Sequence, residues 1–247
     1  MSSRVEHKTA LRRQREAREA AEQQARRRRS ALFRLAAVTA AALAAVIAVI
    51  VVSRLGGDDD APAVTPSRQY AGIPQSGGTL GAPSAPATLV EFADLQCPYC
   101  GEYSRSALPT VVDRYVRPGK LKLELHVLSF VGQDSVTAGK LAAGAAAQDR
   151  LWDFTDAFYA NQGTENTGYV TSDFLDEVGR AAGLDLAAAH AAANTRFLDD
   201  ATATGGRLGV SSTPSFFVRK GDGALQPLKV TALTPEAITA ALDKALA

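Results

Sequence analysis

Cysteine is scarce: the 247 residues contain two, both in the tetrapeptide Cys97-Pro98-Tyr99-Cys100. No second Cys-x-x-Cys and no close pair of histidines accompanies them. A structural zinc site wants four ligands, usually as two close pairs, so half of its donors are missing. Neither cysteine adjoins the chain's long apolar run, which argues against a lipid-modified cysteine as an anchor. The main body also lacks any basic stripe with interleaved aromatics, so it has no electrostatic footprint for nucleic acid. No repeat of 20 to 50 residues is present, and no solenoid is implied.

The charge is present but unevenly placed. The formal net charge is +1, yet residues 1–34 hold 11 Lys and Arg against four Glu, leaving the remainder negative. Between the two regimes lies Leu35–Val52, 18 residues in which only Thr39 is polar. As a helix rising about 1.5 Å per residue it would be roughly 27 Å long, close to the hydrocarbon thickness of a bilayer. We expect one transmembrane helix over 35–52. The basic run Arg26–Ser30 predicts a cytoplasmic tail over 1–34 and export of everything after Val52, a single pass through the cell membrane. A cleaved signal peptide is the competing reading, but its small-residue site would be Ala61–Ala63, far from the apolar end. Residues 53–86 carry five Pro and six Gly and read as an extracytoplasmic tether, whose last dozen residues are near enough to pack on the domain beyond it.

The expected domain is 87–247. Ala87–Asp94 is a short run rich in strand formers. After the cysteines, Tyr103, Ala107, Val111 and Tyr115 recur every four residues, a helical spacing with a kink expected near Pro109. Leu121–Leu128 alternates as a strand. A long Ala-rich helical tract comes next over about 133–209, broken near residues 163–168 and 182–185. Ser215–Val218 and Leu225–Val230 flank a turn and read as a hairpin. The last helix opens with Thr234 as N-cap and Pro235 behind it. Strand, helix, strand, several helices, hairpin, helix describes an α/β fold: a mixed sheet covered by helices, with a helical block inserted in the middle.

A Cys-x-x-Cys placed where a strand ends and a helix begins has a specific use. Cys97 would sit among unpaired backbone N–H groups at the positive end of the helix dipole, which favours a thiolate. Pro98 suits the first helical position, which needs no N–H partner. Cys100 lies one turn on, close enough to close a disulfide with Cys97. Thiols so placed ionise between about 3.5 and 7.5 instead of about 8.5 and exchange through a mixed disulfide. Cys97 is then the nucleophile and Cys100 the resolving thiol. Outside the membrane, in an oxidising compartment, such a pair is either a redox site or a plain disulfide.

The segments "EFADLQCPYC" and "VSSTPSFFV" together resemble the thioredoxin superfamily, and within it the DsbA-like thiol:disulfide oxidoreductases, from about Leu80 to Ala247. The resemblance implies a thioredoxin-like fold whose helical insertion lies between the second core strand and the strand after a cis-proline. It makes Pro214 that cis-proline, with the Thr213 backbone free to pair with an extended substrate segment. It also makes Glu91 a buried acid that assists proton transfer at the resolving cysteine. Asp94, Tyr99 and Tyr103 read as packing or surface residues, although Tyr99 sits in the dipeptide that tunes redox poise. His126 and His190 read as solvated or structural. Neither a cofactor nor a metal is implied.

The dipeptide is Pro-Tyr, whereas strongly oxidising DsbA enzymes carry Pro-His, so the direction of electron flow stays open. A dimeric isomerase would need its own dimerisation domain ahead of the catalytic one, and the Pro/Gly-rich tether over 53–86 is a poor candidate for it, which favours a monomeric oxidase acting on exported proteins. The resemblance implies reoxidation by a membrane partner of the DsbB or vitamin K epoxide reductase type. A reductase or isomerase using the same residues is the alternative. So is a non-enzymatic module in which Cys97 and Cys100 hold a structural disulfide or, with His126 or His190, a metal.

Overall fold

Strand Ala87–Asp94 is buried along its whole length, and the rest of the fold is arranged around it. In the computed structural model the described residues are Val64 and 69–247. The tail over 1–34 and the span expected over 35–52 therefore lie outside them, and no helix among the described residues is long and apolar enough to cross a membrane.

Six strands form one sheet among the described residues: β1 (Gln75–Ser76), β2 (Thr79–Leu80), β3 (Ala87–Asp94), β4 (Lys122–Leu128), β5 (Ser215–Lys220) and β6 (Gln226–Pro227), in the order β1-β2-β4-β3-β5-β6. β3 runs parallel to β4 and antiparallel to β5, so Glu91 faces Leu125 on one side and Phe216 on the other. The period-two alternation of a strand sends neighbours to opposite faces. Leu89 and Ala93 join the large core, while Val90 and Phe92 join a second, smaller one. Glu91 shares the phase of Leu89 and Ala93 and thus enters the large core.

The sheet starts upstream of the expected domain boundary at Ala87. β1 and β2 lie in the segment read as tether, and β2 pairs with Leu123 and Glu124 of β4. Two-residue strands carry no legible periodicity, and their turn needs glycine. Gly77 has φ +55, and a side chain at Gly78 would stand 2.9 Å from the Leu125 carbonyl. Trp152 Nε1 donates to Gly78 O at 3.0 Å, tying this hairpin to the helical block.

Parallel strands need a crossover, and here it is α1 (Pro98–Ser106), α2 (Leu108–Val111) and a wide turn at Val112–Val116. The kink expected near Pro109 is found as the break at Ala107. Proline has no N–H to return to the preceding turn. The backbone then slips by one residue, with Arg117 N bonding Val112 O at 2.9 Å in place of the usual fourth carbonyl back.

The inserted block is α3 (Gln133–Ala147), α4 (Leu151–Ala160), α5 (Ser172–Ala181), α6 (Leu186–Ala192) and α7 (Arg196–Leu208). Small residues let these helices approach closely: a Cβ on Gly144 would lie 2.2 Å from the Ala189 carbonyl oxygen. Trp152, Phe154 and Phe158 of α4 are fully buried, each contributing about 1.5 to 3 kcal/mol of transfer free energy. α8 (Pro235–Leu246) closes the chain, with Thr234 Oγ1 accepting from Ala237 N at 3.3 Å and Pro235 in the first turn, as its sequence predicts.

Candidate active site

β3 ends at Asp94, and a tight turn carries the chain into α1, with Cys97 N bonded to Asp94 O at 3.0 Å. Cys97 is the N-cap of α1, with φ −69 and ψ 119, and Pro98 follows in the first turn. Both cysteines carry free thiols and both are buried, Cys100 completely and Cys97 to 6 % exposure. The bond Thr213–Pro214 is cis, and Cys97 Sγ lies 3.3 Å from Thr213 O. The structure thus joins the two segments that the sequence holds far apart.

The two thiols are pushed in opposite directions. A hydrogen bond from the Cys100 thiol holds Cys97 down, to about 6, helped by the Thr213 side chain and the N–H groups of Tyr99 and Cys100, while partial burial opposes them. The carbonyl of Thr213 can accept only from a protonated Sγ, so that contact favours the thiol. The donors outweigh it. Cys100 moves up, chiefly by burial and further by its bond to Cys97. One sulfur is poised to ionise near neutrality and the other is held as a thiol.

Glu91 lies behind them in the large core, 5 % exposed, and burial raises its carboxyl to about 8. It is an acid that is still protonated at neutral pH and can give or take a proton there.

Asp94, read from sequence as packing or surface, is neither. Its buried carboxylate accepts from Gln96 N at 2.9 Å, Phe130 N at 3.0 Å, Val131 N at 3.1 Å and Ser135 Oγ at 2.6 Å. It therefore ties the turn before Cys97 to the loop after β4 and to α3. The helical block grips the same turn from the other side. Gln162 Nε2 donates to Leu95 O at 2.8 Å and Cys97 O at 3.0 Å, and Tyr159 OH donates to Asp94 O at 3.3 Å. Gln96 bonds Tyr169 and Asn166 of the segment between α4 and α5. Apart from Gln96 N on Asp94, none of these partners is close in sequence, so no local pattern announces them.

Tyr103 is buried in the core, whereas Tyr99 is 62 % exposed beside the cysteines. His126 stacks on Phe92 and pairs with Glu124 at 2.8 Å; His190 pairs with Asp176 at 2.8 Å. The structure brings neither to the cysteines, and among the described residues no three His, Cys, Asp or Glu side chains gather as metal ligands.

A family model described as thioredoxin matches residues 75–244. The chain belongs to the thioredoxin family. That match begins at β1 of this thioredoxin-family protein, upstream of the boundary expected at residue 87. Among curated relatives, it is 35 % identical over 101 residues to the probable disulfide bond formation protein D of Bacillus cereus, covering 39 % of this chain and 46 % of that one. It is 28 % identical over 107 residues to disulfide bond formation protein D of Bacillus subtilis, covering 41 % and 46 %. The chain thus spans about half the length of the curated relatives it matches. Among solved structures, oxidised BdbD from Bacillus subtilis superposes with a TM-score of 0.59 at 19 % identity, covering 74 % of this chain and 96 % of that one. Reduced DsbA from Mycobacterium tuberculosis superposes with a TM-score of 0.52 at 19 % identity, covering 70 % and 90 %. The fold is the DsbA-like variant of thioredoxin, with its helical block between β4 and β5.

Proposed function

We propose that this protein is a thiol:disulfide oxidoreductase that donates a Cys97–Cys100 disulfide to exported proteins. One observation carries the reading: Cys97 ionises at about 6 while its neighbour Cys100 is held protonated, with Thr213 against the reactive sulfur. The names of the disulfide bond formation relatives agree with it.

A substrate thiolate attacks Cys97 Sγ, forming a mixed disulfide and breaking the bond to Cys100. Cys100 leaves as a thiolate and takes the proton of the Glu91 carboxyl. That transfer runs downhill, from an acid at about 8 to a thiol held well above 9.0. A second substrate thiolate then attacks the substrate's own sulfur, and Cys97 departs. A thiol that ionises at about 6 is a good leaving group at neutral pH. The substrate gains a disulfide, and its two electrons stay on the Cys97 and Cys100 thiols. Thr213, beside the sulfur, offers its backbone to an extended substrate segment.

The apolar segment 35–52 serves in this reading as a single membrane anchor. The basic residues before it hold 1–34 in the cytoplasm, and the tether presents the domain outside. The protein acts as a monomer, and its dithiol is reoxidised by a membrane partner of the DsbB or vitamin K epoxide reductase type.

A second reading, reductase or isomerase, has one observation in its favour. The Cys97 value lies nearer to thioredoxin's, about 7, than to DsbA's, about 3.5. The reduction potential of the full-length protein separates the two. We expect roughly −200 to −240 mV, above thioredoxin's −270 mV and below DsbA's −120 mV, together with net oxidation of a reduced dithiol peptide. A potential at or below that of thioredoxin, with no transfer to the peptide, would overturn the oxidase reading.

A further inference from the structure

Helix α4 ends at Ala160, Asn161 Nδ2 closes its last turn by donating to Ala157 O at 2.8 Å, and the next side chain, Gln162, lies across the turn that carries Cys97. Its Nε2 donates to Leu95 O at 2.8 Å and to Cys97 O at 3.0 Å, one carbonyl on either side of Gln96. Only the NH2 end of the amide can serve two carbonyls, so Oε1 is turned the other way, over Gly101 of α1. Room for that oxygen exists because residue 101 has no side chain: a Cβ there would stand 2.2 Å from Gln162 Oε1. Gly101 is a buried residue inside the helix and is not among the positive-φ glycines. Its backbone therefore suits any residue, and what the position supplies is space.

The Cys97 carbonyl is crowded. Besides Gln162 it receives Cys100 N at 3.1 Å and Gly101 N at 3.2 Å, which makes three N–H donors among the described residues. A carbonyl oxygen has two lone pairs. Gly101 N makes the regular bond of the helix to the fourth residue back, and Gln162 makes the shortest of the three, so the Cys100 N–H is the donor in excess. The same N–H is one of the groups that favour the Cys97 thiolate. Carbonyl and sulfur belong to one residue and compete for it.

We propose that Gln162 is a positioning residue for the reactive sulfur: by occupying the Cys97 carbonyl it frees the Cys100 N–H to serve the Cys97 thiolate, and Gly101 is the gap that admits its amide. The inference rests on the reading that Cys97 reacts as a thiolate, and it deepens that reading by naming what keeps an N–H group available to the sulfur. Gln162 acts through a backbone carbonyl, so its effect reaches the chemistry indirectly. It also makes the first turn of α1 depend on the inserted helical block. Arg105 Nη1 of α1 donates to Tyr159 O at the end of α4, and this second tie holds Gln162 over the turn. How far Cys97 ionises is then set partly by how α4 packs.

The test uses the reduced full-length protein with Gln162→Met, Gly101→Ala and the two together, following the Cys97 thiolate by its absorbance across pH, with urea unfolding in parallel. Methionine keeps the length of the side chain and removes both donors. A Cβ at position 101 evicts the same amide by another route, and alanine suits a helix better than glycine does. The proposal expects each single variant to raise the thiolate midpoint from about 6 by about one unit, a tenfold weaker ionisation. The double variant should raise it no further, because both changes remove one contact. If Gln162 only holds the fold, Gln162→Met unfolds at lower urea while its thiolate midpoint stays at about 6. That result, a shift in only one of the single variants, or shifts that add in the double variant, overturns the proposal. Should Gln162→Met fail to fold, the midpoint of Gly101→Ala decides alone. A wild-type midpoint at 9.0 would remove the thiolate reading and this inference with it, whereas a wild-type midpoint at about 6 that neither variant moves removes only the role of Gln162.

Discussion

Replacing Cys97 by serine should lower disulfide exchange at least ~10³-fold and leave the stability of the reduced protein intact at pH values below about 6, where the Cys97 thiolate does not yet contribute. The rate falls because a hydroxyl does not ionise in this range and cannot form the mixed disulfide. Stability holds because Cys97 is the N-cap of α1 without a side-chain cap bond, and serine is among the preferred residues there. Cys100→Ser should behave differently. The nucleophile survives and its resolving partner is gone, so covalent adducts at Cys97 accumulate and are visible by mass spectrometry. Loss of activity in Cys100→Ser with no adduct, or retained exchange in Cys97→Ser, would reverse the assignment of the two sulfurs.

Glu91→Gln should both slow disulfide exchange and stabilise the fold, with an effect of opposite sign in the two assays. The carboxyl ionises at 4.5 in the unfolded chain and at about 8 in the fold. An acid whose value is raised by folding binds more protons in the native state, so stability falls as pH rises from 4.5 to 8 and levels off above it. The full shift corresponds to at most about 5 kcal/mol, and relaxation of a buried site reduces it to roughly half that. Cys97 slopes the other way in the reduced protein, since its value is lowered from 9.0 to about 6, so ionisation adds stability between those limits. The two slopes overlap between about 6 and 8. The comparison is therefore cleanest as Cys97→Ser against Cys97→Ser with Glu91→Gln. Urea unfolding should find the second more stable by a few kcal/mol at about pH 8 and about equal at about pH 4. Equal stability at both pH values would mean that Glu91 is solvated.

Cys97 and Cys100 can be read from sequence because their chemistry is local, a motif at a strand-to-helix junction, whereas Thr213 and Pro214 are implied only by the family resemblance, since their contact with Cys97 joins distant segments. Glu91 is legible only through the family resemblance, and its burial is set by its phase on β3 beside Leu89 and Ala93. Asp94, by contrast, closes that strand, and its donors at Phe130, Val131 and Ser135 come from another part of the chain. Gln162 and Tyr159 grip the turn before Cys97 only because α4 packs across it. The β1–β2 hairpin leaves no sequence signal because two-residue strands around Gly77 and Gly78 look like a linker. Tertiary pairing makes them strands.

All of this depends on a sulfur that is ionised at neutral pH because of where it sits. The most direct test is the absorbance of the thiolate near ~240 nm, followed across pH in the reduced protein and in Cys97→Ser. The account predicts a step with its midpoint at about 6 that is present in the first and absent in the second. A midpoint at the ordinary thiol value of 9.0, or a step that survives in Cys97→Ser, would contradict it.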